Sequence, residues 1–103
     1  MPVASKKWEH GRNAYKDLIF CVDEAIENDE PDVAVICGYA LLHLAKAENA
    51  SYWGYEGAYN YNMAMDSVKK AIKFAKKEGV PSFLKNELKE MEKDYEYVTG
   101  EKP

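Results

Sequence analysis

From Ser5 onward, apolar residues recur at alternating steps of three and four: Trp8, Gly11, Tyr15, Leu18, Val22 and Ala25, with Ile19 and Ile26 widening the stripe. This is the pattern of an amphipathic helix over about residues 5–28, with the Ser5 hydroxyl available as its cap. Pro31 then opens a second helix, about 31–49, in the first-turn position that proline tolerates. This helix departs from the amphipathic rule. In VAVICGYALLHLAKA, Val33 to Ala47, only Gly38, His43 and Lys46 interrupt the apolar character. A helix apolar on nearly every side needs neighbours on every side, so the sequence predicts it at the centre of a bundle. Its apolar run falls short of the roughly 18 residues of a membrane span, and acids flank its start, so it reads as core.

The stretch NASYWGYEGAYNYN, residues 49–62, carries two glycines and five aromatic residues, and its first half, through Gly57, has no clean period and reads as a connection. A third helix follows over about 57–78. Tyr61, Met65, Val68, Ile72 and Ala75 line one side, and Lys69, Lys70, Lys73, Lys76 and Lys77 lie opposite, where they suit a helix C-terminus. Gly79 and Pro81 close it. Ser82 starts a fourth helix, about 82–98, with Leu84, Leu88, Met91, Tyr95 and Val98 on one stripe and Gly100 at its end. No segment alternates long enough to be a strand. The expected fold is all-α: one domain, 1–103, a small antiparallel bundle of about four helices around an apolar central helix.

Composition narrows the function. A chain of 103 residues, 47% of them hydrophobic, is long enough to bury a core without staples. The net charge of −4 and a single arginine, Arg12, disfavour a nucleic-acid backbone as the main partner. Cys21 and Cys37 both fall inside apolar helical patterns and read as separate buried thiols, which suits a reducing compartment. MPVASKKWEH has charge with no apolar run after it, so no secretory leader is expected and the cytoplasm is the expected site.

Two stretches break local rules. Asp23, Glu24, Glu27, Asp29, Glu30 and Asp32 crowd the end of the first helix, where carboxylates oppose the helix dipole. A solvated corner tolerates such charge; the functional alternative is that Glu27, Asp29 and Glu30 dock a basic partner. The acids lack the alternating ligand pattern and turn glycine of a calcium loop. The second stretch is Tyr52, Trp53, Tyr55 and Tyr59, which either plug one end of the bundle or form an association surface with Gly54 and Gly57 alongside. His43 has Lys46 and Ala47 at the positions where a second metal ligand would stand, so the expectation is a structural histidine partly sunk among Leu42 and Leu44. No metal and no cofactor is expected.

Two resemblances add to this. Gly38, Ala40, Leu41, Leu44 and Ala45 resemble the first helix of a tetratricopeptide hairpin, and Ala64, Met65, Val68, Ala71 and Ile72 resemble its second, though a long connection replaces that family's tight turn. Trp8, Asp17-Leu18 and Ala45-Lys46-Ala47 resemble the helical HEPN family. At the spacing where its ribonuclease members carry a histidine, Arg12 is followed by Asp17, Leu18 and Ile19, which implies a non-catalytic member. The expected function is a non-enzymatic protein–protein interaction or regulatory module, binding a protein partner or its own copy. A HEPN-like RNA-processing or toxin-type protein, or its inactive partner, and a small-ligand bundle are the alternatives.

Overall fold

In a computed structural model of the chain, the backbone is described for residues 3–48 and 54–103 and the side chains for 14–47 and 60–103. Among these residues there are four α-helices and no strand: α1 (Val3–Glu27), α2 (Pro31–Glu48), α3 (Gly54–Glu78) and α4 (Lys85–Thr99), the last preceded by a 3-10 turn over Ser82–Leu84. The all-α bundle read from the sequence is the architecture found. α1 starts at Val3, which places Ser5 inside its first turn, and the turn at Ser82 is 3-10 before it becomes α-helical. Gly54 to Gly57, expected as connection, are the opening turn of α3. Two glycines in four residues weaken a helix, and helix ends are set more by packing than by propensity. Tyr55 and Tyr59 therefore stand on helical backbone. Their side chains lie outside the described residues, as do Tyr52 and Trp53 entirely.

The predicted stripes supply the core. Tyr15, Val22 and Ala25 of α1 meet Leu41, Leu42 and Ala45 of α2; Val68, Ala71 and Ile72 of α3 and Met91 and Tyr95 of α4 complete it. Gly38 sets how closely these helices come together. A Cβ built there would lie 2.5 Å from the Met91 Cε and 2.8 Å from the Ala71 Cβ, so α2 touches α3 and α4 at a point where no side chain fits. The Tyr15 hydroxyl reaches from α1 to the Leu44 carbonyl at 3.5 Å, and the Tyr61 hydroxyl from α3 to the Val98 carbonyl at 3.3 Å.

The corner between α1 and α2 closes through a Schellman motif. The Glu30 N–H donates to the Ala25 carbonyl at 2.8 Å and the Asp29 N–H to that of Ile26 at 3.2 Å, with Asp29 left-handed at φ 57°. At the equivalent point after α3 and α4 the chain uses Gly79, φ 85°, and Gly100, φ 74°. Asp29 is therefore a carboxylate where glycine is the favoured residue.

One expectation needs correction. Cys21 and Cys37 are not separate thiols but are joined as a disulfide that pins α1 to α2, with Cα atoms 6.0 Å apart. Their separation of 16 residues is what an antiparallel hairpin with a short corner needs to bring two inward-tilted positions level. Closing a loop of this size contributes about 3 kcal/mol in the chain-entropy account.

Two substitutions test this packing. Gly38→Ala should lower stability by about 1–3 kcal/mol in urea unfolding, because Ala71 has no rotor with which to yield; unchanged stability would place the contact elsewhere. Asp29→Gly should raise stability by about 0.5–1 kcal/mol, since it relieves the left-handed backbone and removes a charge opposing the dipole of α1. A loss on that change would mean that the Asp29 side chain holds the corner.

Candidate functional site

The bonded cysteines fix how α1 and α2 face each other. Phe20 and Ile36 each precede a bonded cysteine by one residue, a rotation of about 100° around the helix. Because the helices run antiparallel, these rotations carry both side chains to the same side of the pair. Val22 and Gly38, one residue after each cysteine, turn to the opposite side, where Gly38 meets Ala71 of α3. Phe20 and Ile36 are left 62% and 57% exposed on the face away from α3.

This face continues along α2. Ile36, Ala40, His43 and Ala47 recur at steps of four, three and four and are all exposed. The stripe spans about 16 Å, three helical turns. α2 is central, packing against α1, α3 and α4, but it is not enclosed on this remaining side. The molecule measures 47 × 28 × 19 Å, and 19 Å holds two helix layers, so α3 covers one side of the α1–α2 pair and nothing in the chain's described residues covers the other. Around the stripe stand Asp17, Glu24 and Glu27, all exposed, and the half-buried Asp32. Glu27 is the only residue of the expected acidic docking set on this face; Asp29 and Glu30 are exposed at the corner beside it.

Charge is segregated to match. Residues 14–47 hold seven carboxylates and two lysines, a net −5, while the rest of the chain carries eleven carboxylates and twelve lysines and arginines, a net +1. Phe20 and Ile36 carry no mark in the sequence, and Asp17 and Glu24 are not assigned there to a docking surface. The missing signal was the relative rotation of the two helices, which the disulfide reveals.

His43 also differs from expectation. It is exposed, and its ring stacks on Tyr39, with centroids 4.4 Å apart and planes at 22°. Leu42 and Leu44 adjoin it in sequence, yet each step turns the helix by about 100°, so Leu42 points into the core while His43 points out. The Tyr39 hydroxyl lies near Asp94, which pairs with Lys46 at 3.2 Å. Burial raises the Tyr39 hydroxyl above its ordinary value of 10.0, and the charges of Asp94 and Glu90 push the same way. A tyrosine so placed keeps its proton, and the group lies on open helix surface. Among the described residues no three metal-ligating side chains converge.

An open groove of about 450 Å³ lies between α3 and α4, lined by Tyr61, Asn62, Met65, Asp66, Tyr95, Val98, Thr99 and Glu101. Burial also raises the Tyr95 hydroxyl, with the Glu101 charge adding to it and a hydrogen bond from Thr99 opposing. The Tyr61 hydroxyl is committed to Val98, so the groove presents few free donors for a ligand.

Alkali should expose these tyrosines. In the unfolded chain they ionise near 10.0, while in the folded chain Tyr39 and Tyr95 hold their protons higher. Their contribution is complete below pH 10 and is lost as pH rises through the folded values. Tyr39→Phe should make the fall in urea midpoint between about pH 9 and 11.5 shallower; a slope unchanged in both Tyr39→Phe and Tyr95→Phe would refute the assignment.

Set against models of known protein families, curated proteins and solved structures, the chain matches none. The tetratricopeptide and HEPN resemblances therefore rest on their own residues.

Proposed function

We propose that this protein is a non-enzymatic interaction module that presents the outer face of its α1–α2 pair to a protein partner. The observation that carries the reading is the uncovered stripe of α2 with Phe20 beside it. Scattered exposed apolar residues are ordinary on any protein; a contiguous set on a helix that is apolar all round is not. The paired helices present a shallow channel held in register by Cys21–Cys37, so the surface is built before a partner arrives.

Asp29 gives this reading indirect support. Glycine would hold the corner at lower conformational cost, and a carboxylate there adds to the negative field of the adjoining face. The acidic corner of Glu27, Asp29 and Glu30 thus serves as the rim of the docking surface, and Phe20 and Ile36 are its centre. The small-ligand alternative has the α3–α4 groove as its site, and the groove's openness and committed tyrosine favour it less. A HEPN-type reading would use His43 with Tyr39, which are stacked but lie on open surface.

The compartment follows less directly. No helix among the described residues is long and apolar enough to cross a membrane. Of the two grounds for a cytoplasmic site, free thiols and the want of a leader-like apolar run in MPVASKKWEH, the first falls away, because a Cys21–Cys37 disulfide is at home in an oxidising compartment.

A photo-crosslinking residue placed at position 20 or 36 and activated in cells of the source organism should give a discrete protein adduct. The same residue at Lys73 or Tyr97, exposed on α3 and α4, should not. Adducts equally abundant at all four positions, or absent at 20 and 36, would rule out the outer face as the binding surface.

A further inference from the structure

We infer that the occupant of the α1–α2 outer face is a cationic amphipathic helix belonging to another protein; this rests on the interaction reading above and names the partner's chemistry. The face offers a straight stripe of three turns, in which Ala40 and Ala47 alternate with larger residues. Small side chains let another helix axis approach closely, and Ile36 with Phe20 gives its apolar residues something to pack against. A helix laid along this channel would occupy the position that mirrors α3 across the α1–α2 layer. It would give α2 the neighbour that its all-round apolar sequence calls for, and its anchors would repeat at the three- and four-residue spacing of helix-in-groove recognition.

Charge then selects among helices. The channel is edged by Asp17, Glu24, Glu27 and Asp32, and Lys16 is the only base on α1 among its described side chains. Lys46 is already paired with Asp94. An acidic helix would meet repulsion along both edges, whereas lysines or arginines flanking the apolar anchors would each find a carboxylate. The same edges disfavour nucleic acid and anionic lipid surfaces. They also disfavour a second copy in two-fold contact, because that would bring this acidic face against itself.

The test uses the intact, oxidised protein and three synthetic peptides of eighteen residues. The first has leucines at helical three- and four-residue spacing with a lysine polar face; the second keeps the leucines and carries a glutamate polar face; the third is the lysine peptide with its leucines scrambled. Fluorescence anisotropy at low and at 0.15 M salt reads the affinity. The patterned lysine peptide should bind at least tenfold more tightly than either of the others. Phe20→Ala with Ile36→Ala should weaken it at least tenfold, with helicity by circular dichroism unchanged. Asp17→Asn, Glu24→Gln and Asp32→Asn together should weaken it and flatten its salt dependence.

Equal binding of the lysine and glutamate peptides, both lost on the Phe20 and Ile36 changes, would overturn the cationic partner while leaving the interaction face in place. Binding indifferent to the Phe20 and Ile36 changes would sink the face itself. Equal binding of the scrambled peptide would mean charge attraction without a groove, and would overturn the inference. Sedimentation showing a dimer that the Phe20 and Ile36 changes dissociate would assign the face to a second copy instead.

Discussion

The bundle depends on the point where α2 has no side chain. At Gly38 the backbone comes so close to Ala71 and Met91 that a methyl group would have to displace one of them. That approach brings Leu41, Leu42 and Ala45 of α2 into the same core as Val68, Ile72 and Met91. Without it α2 would stand further off, and the gaps left between side chains would forfeit much of the dispersion energy that close packing supplies. A glycine inside a helix weakens that helix by roughly 1 kcal/mol relative to alanine, so its presence is explained by what it permits across the interface.

A consequence of drawing α3 and α4 onto one side of α2 is that the other side stays bare. Three of the four helices follow the amphipathic logic, and their buried residues could be named from spacing alone: Tyr15, Val22 and Ala25; Met65, Val68, Ile72 and Ala75; Leu88, Met91 and Tyr95. For α2 the same logic fails, because periodicity cannot say which side of a uniformly apolar helix faces out. The sequence implied that α2 would be enclosed, and a slab two helices thick cannot enclose it. Ile36, Ala40 and Ala47 are exposed for that reason, and the candidate surface was legible only as an excess of hydrophobicity with no assigned place.

Other parts were hidden for different reasons. The Cys21–Cys37 pair needs the length of the α1–α2 corner and the relative rotation of two helices, neither of which two apolar heptad patterns specify. His43 adjoins Leu42 and Leu44 along the chain, but adjacency in sequence is not adjacency in space, and its ring stacks on Tyr39, four residues away on the same face. The acidic corner was legible as charge, and what sequence could not supply was the left-handed backbone at Asp29, which turns an unremarkable carboxylate into one held against local preference.

These features meet in a single physical problem. α2 must be apolar on its inner side to hold the bundle and is apolar on its outer side as well, which exposes a surface able to stick to anything apolar. Seven carboxylates against two lysines in residues 14–47 bear on that problem. Like charge around an apolar stripe opposes contact with a second copy of the same face, and on the proposed reading it would favour an oppositely charged partner. The charges are paid for locally, since acids at the end of α1 oppose its dipole and Asp29 sits where glycine fits better. Discrimination of this kind needs the apolar centre and the charged rim to stay in fixed relation, and the disulfide beneath Phe20 and Ile36 maintains it. Phe20, Asp17 and Glu24 of α1 and the outer residues of α2 therefore share one side of the pair, whereas α3, held against Gly38 on the other side, is the support for that surface.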